Sequence, residues 1–177
     1  MPRESAALYA CLQAMANTHT PLARVLHWSF IGLYLYGLSK QLDDLEDLEE
    51  PGLLGFEVAF ATAFLVILLL RYLYMRRFET LLGAHRPPAP THKWFARLVH
   101  VSMYLVLALL PLSGLAIAGL YSLGIKGGLA QDLAVGVHEI AAGLSYLLIG
   151  LHVTAAVLSR LKGEGVWSSM VPVWREE

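Results

Sequence analysis

Four histidines stand inside apolar sequence. His27 lies in "RVLHWSF", His100 in "RLVHVSMYL", and His138 and His152 open and close "HEIAAGLSYLLIGLH". Imidazole is costly to bury in hydrocarbon unless it is hydrogen-bonded or has a task. The tasks open to a neutral imidazole are metal ligation and proton transfer. The spacing of the last pair narrows the geometry. From His138 to His152, a helix rises about 21 Å and completes nearly four turns. The two rings therefore point almost the same way from two depths of one segment.

The elements that position these rings follow from composition. The chain has 177 residues, 56% of them hydrophobic and 15% charged. A soluble domain carries roughly 45–50% and about 25%, so the balance marks a membrane protein whose first partner is lipid. The formal net charge is −1. A chain this close to neutral lacks the basic excess that binds phosphate backbones, and no nucleic-acid partner is expected. The single cysteine, Cys11, excludes an internal disulfide and any two-cysteine metal or redox motif.

Four apolar spans run from about Leu22 to Leu38, Leu53 to Tyr74, Leu98 to Leu120 and Leu133 to Leu158. Each approaches the roughly 20 residues that cross a bilayer core. In lipid each must be helical, because every backbone polar group has to be satisfied within its own segment. The expected fold is an all-α membrane protein, a four-transmembrane-helix bundle over residues 21–172. An amphipathic segment over residues 1–20 precedes it, and a short cytoplasmic tail over residues 173–177 follows. Gly32, Gly37, Gly114, Gly119, Gly143 and Gly150 would weaken soluble helices. Between membrane helices they permit close approach.

The charges between spans set the orientation. "KQLDDLEDLEEPG" is acidic apart from Lys40. The connection from Arg71 to Arg97 is rich in arginine and lysine around a proline-rich turn. The third connection is nearly neutral, and the end of the chain carries Arg160, Lys162 and Arg175. Positive charge stays in the cytoplasm. Both termini and the basic loop are therefore expected inside, and the acidic loop outside. The first twenty residues share features with a signal peptide, but Gln13 interrupts their apolar part and cleavage would break this topology. They read instead as a segment lying on the inner surface.

The histidines can now be placed by depth. His19 precedes the first span, His85 and His92 fall in the basic connection, and all three read as solvated. His27, His100 and His152 fall in the inner half, and His138 in the outer. One imidazole in each half of the bilayer, on one helix face, suits two stacked haems, for which neutral imidazole is an iron ligand. A haem shared by two helices sits inside the bundle, and Ala141, Ala142, Gly143, Ser145 and Gly150 leave room for it. Three other readings stand beside this one. Hydrogen-bonded packing accounts for one buried histidine more readily than for four on three helices. A proton relay needs carboxylates chained between the rings, and the fourth span offers Glu139 alone. A zinc site needs clustered ligands, which the separation of His138 and His152 opposes.

These segments resemble the prokaryotic cytochrome b561 family, which is similar to the cytochrome b subunits of membrane hydrogenases and formate dehydrogenases. The matching stretches are "RVLHW", "HVSMYLVLALLPLSGL" and "HEIAAGLSYLLIGLH", and the likeness covers about Pro21 to Pro172. It implies a bacterial inner-membrane, multi-pass bundle with haem b held by paired histidines, exchanging electrons with the quinone pool. It implies His27 and His152 as axial ligands of the inner haem. His100 is then an alternative ligand, a propionate contact or part of a quinone pocket. Arg24, Arg71 and Arg97, at inner ends of the spans, are candidates for haem propionates, which guanidinium suits. Plain positive-inside anchoring serves each of them equally well.

The chain departs from the family pattern in the second span. That pattern has a histidine fourteen residues before a helix-ending arginine. Counting back from Arg71 reaches Glu57, and no histidine lies between Trp28 and Ala84. His138 is left without a histidine partner. One haem b per chain is therefore expected. The competing outcome is a second haem held by His138 alone or with Glu57, and Phe56 and Phe60 are candidates to fill an abandoned pocket. The resemblance implies a quinone-linked electron-transfer cytochrome. Its alternative is a haem-binding anchor subunit of a larger redox complex, with a redox partner protein on either face.

Single cysteines in a Cys11-free background test the orientation. Asp44→Cys is expected to react with an impermeant thiol reagent in intact cells, and Arg86→Cys to be protected. The opposite pattern would invert the bundle.

Overall fold

In the computed structural model every described element is helical. The description covers residues 20–40, 45–78, 90–164 and 166–174. Helix α1 spans Pro21–Leu38, α2 Leu53–Phe78, α3 Pro90–Ser122, α4 Leu129–Leu161 and the short α5 Val166–Met170. A 3-10 turn, Leu45–Glu49, sits between α1 and α2. The expected amphipathic segment lies, but for Thr20, outside the described residues. So do residues 79–89 of the basic connection and 175–177 of the tail. The start of α1 is written locally: Thr20 accepts a hydrogen bond from Ala23 N at 3.3 Å, and Pro21 takes a first-turn position where no amide donor is needed.

Consecutive helices pack on one another, α3 with α4 most extensively, then α2 with α3, then α1 with α2. The buried centre is Phe30 and Tyr34 of α1, Phe64 and Leu68 of α2, and Leu107 of α3. The Phe30 and Phe64 rings are tilted, with centres 4.8 Å apart. Gly37 allows close approach of α1 to α2, because a Cβ there would meet the Phe60 ring at 3.0 Å. Away from this centre the helices show leucine outward, with Leu69, Leu105 and Leu147 all more than half exposed. Such a surface is costly in water and favourable in hydrocarbon.

Among the described residues, three helices are long and apolar enough to cross a membrane: Leu53–Arg77, Trp94–Ser122 and Leu129–Leu161. The span expected at Leu22–Leu38 is helical, but α1 is not one of the three. It is short, and Arg24, His27 and Trp28 dilute its apolar content. The helices also outrun the apolar spans. α2 continues past Tyr74 through two arginines, and α3 begins at Pro90 rather than Leu98. Hydropathy marks where lipid starts, whereas a helical backbone satisfies itself on both sides of that boundary. Pro111 lies within α3 without ending it, a placement that packed membrane helices tolerate.

A polar clasp closes one end, the outer one in the expected orientation. Lys126 Nζ donates to Glu49 Oε1 at 2.7 Å, and the Tyr121 hydroxyl donates to the same oxygen at 3.3 Å. Beside them Leu48 is buried. The Lys126 ammonium and the Tyr121 hydroxyl hold the Glu49 carboxyl below its ordinary range, and Glu49 in turn raises Lys126. A carboxylate with a lowered folded-state pKa stabilises above its unfolded value and loses that contribution as pH falls through the folded one. A lysine with a raised pKa stabilises below its ordinary value and loses that contribution as pH rises through the folded one. The clasp therefore holds through neutral pH and opens at both extremes. Both partners are exposed, so its effect is local. At pH 7, Glu49→Gln is expected to speed amide exchange over residues 45–50 while leaving α3 and α4 protected. Unchanged exchange in mass spectrometry would deny the clasp a role.

Candidate functional site

The two α4 imidazoles both reach α3, as their spacing requires. His138 Nδ1 lies 3.0 Å from the Leu110 carbonyl oxygen and 3.1 Å from Ser113 Oγ. A carbonyl only accepts, so Nδ1 carries the proton and Nε2 keeps the lone pair. Ser113 Oγ itself donates to the Leu109 and Leu110 carbonyls, both at 2.8 Å. These contacts fix the ring beside Gly114, where an added Cβ would come within 3.5 Å of it. A histidine pinned at one nitrogen presents the other as a ligand in a set direction.

In the inner half, His152 meets His100, with ring centres 5.1 Å apart and planes at 89°. His100 Nδ1 is 2.7 Å from the Ala96 carbonyl oxygen and is the donor there. Imidazoles facing one metal from opposite sides, with metal–nitrogen bonds of about 2 Å, hold their ring centres farther apart than this. His100 and His152 therefore stand edge to face, not as two ends of one axial pair. His27 is half-buried on α1, edge-on to Trp28 at 6.1 Å between ring centres.

The arginines separate clearly. Arg24 Nε donates to the Ser169 carbonyl at 2.8 Å, and Trp28 Nε1 donates to that of Met170 at 3.1 Å. Arg24 thus fastens α5 against α1. Arg97 is exposed. Arg71 lies within electrostatic range of His152, and its guanidinium stands 5.8 Å from the centre of the Tyr104 ring. Its Nε is buried and makes no hydrogen bond. An orphaned guanidinium donor beside a half-buried imidazole fits an acidic substituent such as a haem propionate.

At the end closed by the Glu49–Lys126 clasp a cavity of about 710 Å³ lies among α1, α2, α3 and α4, within the roughly 300–1,000 Å³ typical of small-molecule and cofactor sites. His138 and Glu57 both line it, Leu45 and Leu48 border it from the acidic connection, and Phe60 and Phe64 form an aromatic wall. Neither of the two candidates to fill this pocket occupies it. Phe56 is exposed, stacked with Phe60 at 6.1 Å, and Phe60 borders the space without occupying it.

Tyr34 and Ser145, at 2.6 Å, lie on the inner side of this cavity. Ser145 Oγ donates to the Ala142 carbonyl at 2.7 Å, so the Tyr34 hydroxyl is the donor to serine. The bond joins α1 to α4, two helices that do not pack along each other. Ser145 is midway between His138 and His152, and Tyr34 is equally far beyond His27, about 10 Å of helix in each case. The sequence reading missed this pair, although the equal seven-residue intervals were there to be seen. It also misjudged two glycines. Ala141 and Ser145 are buried and Ala142 borders the cavity, but Gly143 and Gly150 are exposed on the opposite face.

Among the described residues, no three His, Cys, Asp or Glu side chains gather as a bare metal ion requires. A family model described as prokaryotic cytochrome b561 matches residues 18–173. No curated protein and no solved structure matches the chain.

The direction of the Tyr34–Ser145 bond predicts an asymmetry. Tyr34→Phe leaves serine still bonded to Ala142 and is expected to cost about 0.5–1.5 kcal/mol. Ser145→Ala strands the buried phenol hydroxyl and is expected to cost more, about 1–3 kcal/mol. Reversible unfolding in mixed micelles measures both, and the reverse ranking would contradict the assigned donor.

Proposed function

The chain belongs to the prokaryotic cytochrome b561 family, and on that premise we propose that it exchanges electrons with the quinone pool through an inner haem b ligated by His27 and His152. Membership implies haem b and a membrane-bound b-type cytochrome in electron transfer. The observation that carries the finer reading is the orphaned Arg71 Nε beside His152. It supplies a cation for an acidic group at the depth where a half-buried imidazole already stands. Bound haem b supplies a one-electron iron couple.

The residues of the chain hold and tune that group. His152 offers a nitrogen from α4 and His27 another from α1, the fourth spanning helix in this reading. Arg71 balances an acidic substituent. His100, tied to its own helix through Ala96, braces the His152 ring edge to face and so sets its orientation. Both termini lie in the cytoplasm, which places this haem near the inner surface for exchange with quinone.

Purified variants test the ligand pair by absorption and electron paramagnetic resonance. His27→Ala and His152→Ala are each expected to abolish the low-spin signal of the inner haem. His100→Ala is expected to retain it with a shifted midpoint potential. Retention in both of the first two would remove the assignment. Loss in His100→Ala with retention in His27→Ala would transfer the ligand role to α3.

A further inference from the structure

The polar groups around the chamber of His138 and Glu57 share one property: they accept hydrogen bonds and have little to donate. His138 spends its N–H on the Leu110 carbonyl and keeps a lone pair on Nε2. The Tyr34 hydroxyl donates to Ser145, and Ser145 donates to Ala142. Glu57 and Glu139 add carboxylates. The other side-chain donors on the border, Lys40 and Tyr146, are both exposed. Glu57 is half-buried and makes no hydrogen bond or ion pair among the described residues. Lys126, at the same end, is already spent on Glu49. A carboxylate at the wall of an apolar space is costly without a counter-charge.

The walls narrow the ligand further. Tyr34, Phe60 and Phe64 supply rings, whose faces attract a cation. The connection that borders the chamber through Leu45 and Leu48 is acidic apart from Lys40, and such a field concentrates cations near the mouth. A neutral ligand rich in carbonyls would bring acceptors to a space already full of them. A zwitterionic lipid headgroup would bring a phosphate against Glu57 and Glu139.

We propose that this chamber binds a lipophilic primary amine as its ammonium ion, with Glu57 as counter-ion, His138 Nε2 as an N–H acceptor and the Phe60 and Phe64 rings around its apolar body. The volume of about 710 Å³ accommodates an arylalkyl chain. The site is separate from His27, His100, His152 and Arg71, so it adds a binding function to the reading of the inner layer and does not depend on it.

The test uses the full chain in phosphatidylcholine nanodiscs, with phenylbutylammonium as the probe and empty nanodiscs to subtract partition into lipid. Titration calorimetry is expected to show one saturable site per chain. Glu57→Gln keeps the shape and removes the charge, and is expected to weaken binding about tenfold or more. Phenylbutanol, which is neutral, and the trimethylated amine, which has no N–H, should each bind wild type more weakly than the probe. Nanodiscs of phosphatidylethanolamine should leave the affinity unchanged. No saturable binding, undiminished binding to Glu57→Gln, or equal binding of either analogue would overturn the proposal. Loss of binding in phosphatidylethanolamine would assign the chamber to that lipid and overturn it equally. If Glu57→Gln fails to fold, the two analogues on wild type decide.

Discussion

In hydrocarbon a hydroxyl has no water to fall back on, so a polar bond across a membrane bundle must be made within the protein. The bond from Tyr34 to Ser145 meets that requirement and does more. α1 and α4 do not pack along each other, and this contact at mid-depth ties them across the interior. Its position divides the space between helices. On one side lies the chamber of His138 and Glu57, and on the other the layer of His27, His100, His152 and Arg71. Two chemically different compartments on one helical scaffold follow from a single buried pair of hydroxyls.

The inner and outer layers solve the burial of imidazole in different ways. His138 satisfies one nitrogen on the backbone of a neighbouring helix, next to a proline that already perturbs the local ladder. His100 satisfies one on its own helix and lends its ring to His152. In both cases one nitrogen is bonded so that the ring cannot turn freely. That is the condition for an imidazole to serve as a ligand with a defined direction.

Much of this was legible in the sequence, and the exceptions have physical causes. The shared facing of His138 and His152 follows from helical period alone, and both do reach α3. Period could not say that Gly143 and Gly150 turn away from the interior, because small residues fit lipid as well as they fit a cofactor. The ends of α2 and α3 were missed, since hydropathy reports the solvent and not the backbone. Counting back from Arg71 picks out Glu57, which does border the cavity, but whether that space is open depends on where the Phe56 and Phe60 rings point. The Glu49–Lys126 clasp joins two connections distant in the chain, and no local pattern encodes it.

The seam between α1 and α5 has a consequence for how the bundle is made. Arg24 and Trp28 grip the carbonyls of Ser169 and Met170, so the first helix is fixed by residues synthesised some 140 positions later. α2, α3 and α4 can each dock on the helix that precedes them as they leave the ribosome. α1 packs on α2 and Leu107 of α3 and bonds to Ser145 of α4, but its Arg24–Trp28 end has no fastening to α5 until translation has passed Met170. The inner end of the bundle therefore stays unlatched until late in biogenesis, which leaves a route for a flat prosthetic group to slip between helices before the chain closes over it.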